Sequence, residues 1–113
     1  MSRIDGYQFG RVLVDGHEET RDVIVLPHRV VRNWWRKDGH ALALEDLVEV
    51  LDELPERLVV GTGASGQMRP ASDTIDFLKQ RGIHVDVRKT DEAVRLFAEL
   101  DPATTAAALH LTC

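Results

Sequence analysis

The sequence predicts an α/β domain in which N-terminal antiparallel hairpins accompany a C-terminal strand-helix-strand-helix-strand unit. Three observations predict it. Asp15-Gly16 stands between two β-prone runs. From Leu58 onward, short apolar runs alternate with stretches of helical periodicity. A chain of 113 residues, 43% hydrophobic and 29% charged, has the size and composition of one globular domain, residues 1–113, with one core.

Tyr7 to Pro27 reads as a β-hairpin. Val12, Leu13 and Val14 lead into Asp15-Gly16, and the returning run ends with Val23, Ile24, Val25 and Leu26. Asp-Gly suits the tight hairpin turn because both central positions need positive φ. Val30 to Arg36 reads as a third strand, with Val31, Trp34 and Trp35, closed by Asp38-Gly39. Between Leu44 and Leu54, Leu44, Leu47, Val48, Leu51 and Leu54 fall on one helical face and Glu45, Asp46, Glu49, Asp52 and Glu53 on the other, which predicts an amphipathic helix ended by Pro55. The acidic face reads as solvated surface.

The second half is organised around Leu58 to Gly82. Leu58, Val59 and Val60 form a strand that stops at a glycine-rich turn with Gly61, Gly63 and Gly66; Ile75 and Leu78 mark the helix that follows and Gly82 its end. Ile83 to Arg88 alternates strictly and predicts a strand. Thr90 is the expected N-cap of a second helix, whose stripe is Ala93, Leu96, Phe97 and Leu100; Asp101-Pro102 breaks it. Ala106 to Thr112 predicts a final strand. Two successive crossovers imply parallel neighbours joined by right-handed connections.

Nineteen acids against fourteen bases, a formal charge of -5, oppose binding to phosphate backbones. The single cysteine, Cys113, excludes an internal disulfide and a multi-cysteine metal site. No stretch approaches the ~20 apolar residues that cross a bilayer, and no leader precedes Tyr7, so a cytoplasmic protein is expected.

Gly61-Thr62-Gly63-Ala64-Ser65-Gly66 matches the spacing of a dinucleotide loop, with Asp86 at the offset of a ribose-binding acid. Against that cofactor, Gln67 to Pro70 separate the third glycine from the helix, Asp86 sits in mid-strand, and the chain is too short for two nucleotide-binding halves. A P-loop is excluded because Gly-Lys-Ser/Thr is missing. No cofactor is expected. A small anion fits better, held by converging loop amides, the hydroxyls of Thr62 and Ser65 and the charge of Arg69. A tight turn that serves packing alone is the competing reading.

Trp34-Trp35-Arg36-Lys37 combines indoles with cations. Neighbouring strand residues face opposite ways, so one tryptophan belongs to the core and one can be exposed. Indole with neighbouring cations looks at first like a surface for stacked bases, and equally like a protein interface anchor or pocket wall, with simple packing as the competing reading. His110 and Cys113 lie on opposite faces of the expected final strand and cannot form a nucleophile-base pair. The other histidines show no helical pairing that suggests zinc.

Tyr7-Gln8-Phe9-Gly10, Asp22 to Val25, Trp34 to Lys37 with Gly39-His40, Gly61 to Gly66 and His110-Leu111-Thr112-Cys113 together resemble the Mth-like domain family over essentially the whole chain. That family includes the adipogenesis-associated Mth domain-containing protein and, more distantly, mitochondrial complex I assembly factor three. The resemblance implies a compact α/β fold with extra β layers around a mixed central sheet. It implies no agreed enzymatic activity and supplies no catalytic residue. Through the assembly factor it points to a non-enzymatic module that holds other proteins. The residues themselves make Trp34, Trp35, Arg36 and Lys37 the expected interface, and a monomer or weak homodimer is expected. A ligand site at Gly61 to Gly66 with Arg69 is the alternative.

Overall fold

The computed structural model describes residues 2–113. Its strands in chain order are β1 (Ile4–Gln8), β2 (Arg11–Val14), β3 (His17–Glu19), β4 (Val23–Val25), β5 (Val30–Val31), β6 (Ala41–Leu42), β7 (Arg57–Thr62), β8 (Arg69–Pro70), β9 (His84–Arg88) and β10 (Thr105–His110). Two α-helices, α1 (Ser72–Gln80) and α2 (Thr90–Glu99), join β7 to β9 and β9 to β10. The expected strand-helix-strand-helix-strand order is therefore present.

Five strands form a mixed central sheet in the order β5-β4-β10-β7-β9. β10 runs parallel to β7 and antiparallel to β4, and β7 runs parallel to β9. β1, β2 and β3 make a separate antiparallel sheet, and β6 pairs with β8. Alternation along the strands divides the core in two. Ile24, Leu58, Val60, Ala106 and Ala108 face Leu78 of α1 together with Leu47, Val50 and Trp34. Val23, Val25, Val59, Ala107 and Leu109 face Ala93 and Phe97 of α2 and Val12 and Val14 of the small sheet. Each fully buried leucine or valine adds roughly 1.5–3 kcal/mol, so both faces of the central sheet work for the fold.

Three expected elements differ. Asp15 and Gly16 do turn a hairpin, with φ of 52° and 80°, but Val12–Val14 pairs with His17–Glu19. Val23–Val25 leaves for the central sheet, because fully buried residues need cover on both faces. The strand after Pro27 stops at Val31, where Asn33 adopts φ 56° and turns the chain, leaving Trp34 to Lys37 in a loop. Between Leu44 and Glu53 there is no α-helix but two 3₁₀ turns, Leu44–Leu47 and Leu51–Glu53. Leu47, at the end of the first, and Val50, just before the second, are buried, while Val48 between them is exposed.

No helix among the described residues is long and apolar enough to cross a membrane.

Candidate functional site

β7 lies between β9 and β10: α1 carries the chain from β7 to β9, and α2 carries it back past β7 to β10, so the place for a crevice is the C-terminal end of β7. The glycine loop lies there, and the chain's own residues 111–113 fill it. The Gly63 amide donates to Oγ1 of Thr90 at 2.8 Å. Ala64 N–H donates to the Thr112 carbonyl at 2.6 Å, Gln67 N–H to the main-chain oxygen of Cys113 at 3.0 Å, and Met68 N–H to Thr62 at 3.0 Å. The Thr62 hydroxyl donates to the Arg88 carbonyl and that of Thr90 to the His110 carbonyl. Glycine is required at position 63, where φ is +102° and a Cβ would come within 2.4 Å of the Cys113 carbonyl carbon.

This corrects the anion-cradle expectation for Gly61, Thr62, Gly63, Ala64, Ser65, Gly66 and Arg69. The amides of Gly63, Ala64, Gly66, Gln67 and Met68, which were to converge on a ligand, already have acceptors within the chain, and the Ser65 and Arg69 side chains are exposed. Thr90, expected as a helix cap through its side chain, instead links the loop to β10, and the N-cap position falls on Lys89.

A buried polar cluster stands beside this crevice. Oδ2 of Asp22 accepts from Nη1 of Arg36 at 2.7 Å and lies 2.8 Å from Nδ1 of His110; its Oδ1 accepts from the Leu111 amide at 2.9 Å. Arg36 also donates from Nη2 to the Gly39 carbonyl and lies over the Trp34 ring, 4.9 Å from its centroid. Nδ1 of His110 thus lies between an acceptor, Asp22, and a donor, Nη2 of Arg36 at 3.0 Å, while Nε2 faces the Thr112 hydroxyl at 3.5 Å. Burial pushes the Asp22 pKa up, but hydrogen bonds from His110, Arg36 and the Leu111 amide outweigh it and the net shift is downward.

Arg36 is thus not an interface residue: its side chain is 3% exposed and committed to Asp22. Trp34 is 8% exposed and donates from Nε1 to the Asp46 carbonyl, whereas Trp35 is 76% exposed. Of the four residues Trp34 to Lys37, only Trp35 and Lys37 present themselves to solvent. Cys113 is exposed. Sequence reasoning did not find Asp22 and His110, which lie 88 positions apart and meet only because β4 and β10 pair. The available signal was a charged residue directly before the apolar run Val23 to Leu26 and a histidine closing another.

Known proteins share this fold. Over residues 4–110 the chain matches the family described as proteins of unknown function, DUF498/DUF598. It is 33% identical over 97 residues to the human NADH dehydrogenase [ubiquinone] 1 alpha subcomplex assembly factor 3, across 83% of this chain and 51% of that protein. The chain therefore spans about half the length of the curated relative it matches. A conserved hypothetical protein from Pyrococcus horikoshii superposes with a TM-score of 0.82 at 28% identity, over 98% of this chain and 99% of the other. A Mth938-like domain from Bordetella pertussis, 18% identical, superposes with a TM-score of 0.69 over 97% of this chain and 85% of the other, which speaks to fold alone. A family match along nearly the whole length, on a fold that superposes with those structures, means that the chain belongs to the DUF498/DUF598 family and has the Mth938-like fold.

Proposed function

We propose that the protein is a non-enzymatic module that works by binding other proteins, in the manner of an assembly factor. The observation that carries this reading is the exposed indole of Trp35, held between two buried neighbours. Trp34 is pinned through its amide to the Asp22 carbonyl and through its ring to Asp46; Arg36 is pinned to Asp22 and Gly39. An aromatic anchor whose backbone is fixed in advance by its neighbours needs less ordering on binding, which suits an interface hot spot. The similarity to an assembly factor supports the same reading. Trp35 and Lys37 then touch the partner, while Trp34 and Arg36 hold them in place.

Cross-linking in cells tests it. A benzophenone amino acid at position 35 should yield a discrete protein adduct that one at exposed Glu99, on α2, does not. Identical adduct patterns from the two positions would overturn the reading.

A further inference from the structure

Asp46 staples two stretches of chain into one surface. Its Oδ1 accepts the Lys37 amide at 3.2 Å, its Oδ2 the Ala43 amide at 2.9 Å, and its carbonyl the Trp34 indole N–H at 3.0 Å. Residues around Trp35 and the segment from Glu45 to Glu49 thereby form the walls of a groove of about 550 Å³. Both Trp35 and Val48, the latter 68% exposed, stand on it. Single exposed apolar side chains are ordinary; two on segments locked to each other make a prepared contact surface.

The charges say what fits. Asp46 is consumed by the staple, and Arg32 is paired with Glu19 at 2.7 Å. Glu45 and Glu49 make no ion pair among the described residues, and Lys37 is the one remaining cation on the groove. Two unpaired carboxylates flanking Val48 favour a cationic rim on whatever covers it and repel phosphate.

We propose that this groove takes an apolar or aromatic side chain of a partner protein, from a segment whose flanks carry lysine or arginine. The proposal rests on the protein-binding reading and adds to it the surface and the chemistry of the occupant. Fixed walls favour a short segment that supplies its own side chain to a site already shaped, with the carboxylates selecting its orientation.

Peptide selection tests it. A random displayed peptide library is panned against the wild-type protein, the best peptide is synthesised, and its affinity is measured for wild type, W35A and the double variant Glu45→Lys, Glu49→Lys. All three positions are solvent-facing, and unchanged melting curves verify folding. The expected peptides carry Trp, Phe or Leu flanked by Lys or Arg. Binding should weaken about tenfold or more in W35A and about fivefold in the charge-reversed variant, with the second difference vanishing at about 0.5 M salt. Peptides with acidic flanks, or peptides that bind both variants as tightly as wild type, overturn the proposal and leave the protein-binding reading standing. A wild-type protein that selects no peptide also overturns it, and cross-linking at position 35 then decides the wider reading separately.

Discussion

Trp34 and Trp35 are adjacent in the chain yet go to opposite sides of the surface: one indole packs in the core with Leu47 and Val50, and the other stands in solvent. The turn at Asn33 and the buried ion pair of Arg36 enforce this separation. Trp34→Ala should therefore destabilise the protein by about 3–5 kcal/mol, since it removes a large buried side chain and leaves a cavity. Trp35→Ala should change stability by less than about 0.5 kcal/mol. Urea denaturation of the two variants measures both; equal losses would refute the assignment of one to the core and one to the surface.

Gly63→Ala meets the Cys113 carbonyl at a backbone angle that disfavours side chains. Strain and overpacking together should cost roughly 2–4 kcal/mol. Gly66, at φ +73° with its nearest neighbour 3.5 Å from a built Cβ, should lose only about 1 kcal/mol on the same change. Thermal denaturation that ranks Gly66→Ala as the worse variant would show that residues 111–113 do not press on the loop.

Because the amides of Gly63, Ala64, Gly66, Gln67 and Met68 are already bonded within the chain, the glycine loop should be indifferent to anions. Inorganic phosphate at millimolar concentration is expected to leave the melting temperature where it was. A rise that Arg69→Ala abolishes would restore the anion site.

Asp22 holds the polar cluster together, and its sign with pH follows from its lowered pKa. A carboxyl whose folded pKa lies below the unfolded value of ~3.9 contributes stability in full above that value. The contribution is lost as pH falls through the folded pKa. Asp22→Asn leaves Arg36 buried without a counter-charge and should cost about 3–5 kcal/mol at neutral pH. The variant should also lose part of the wild-type acid dependence below pH ~4. A variant whose stability falls with acid as steeply as wild type would remove Asp22 from its place at the centre of the cluster.

The second half of the fold was legible because its periods are clean. Ile83 to Arg88 alternates by two and Ala93 to Leu100 by three and four, so β9 and α2 sit within a few residues of expectation. β10 was legible despite three consecutive alanines, poor strand formers, because packing between helices and sheet on both faces overrides local preference. The first half was harder. Its strands are as short as two residues, and whether Val23–Val25 continues a hairpin or joins another sheet depends on long-range pairing that no local pattern encodes. Leu44 to Leu54 carried a stripe read at 3.6 residues per turn, whereas the structure breaks it into two 3₁₀ turns with Val50 buried between them. The same break leaves Val48 exposed, so the groove beside Trp35 was invisible for the reason that the helix was mistaken.

The account stands or falls on Trp35 as a binding anchor. Isothermal titration of a purified partner, recovered by cross-linking at position 35, against wild-type and W35A protein of equal melting temperature tests this most directly. The account predicts a loss of about tenfold or more in affinity for W35A. Equal affinity for the two proteins would contradict it.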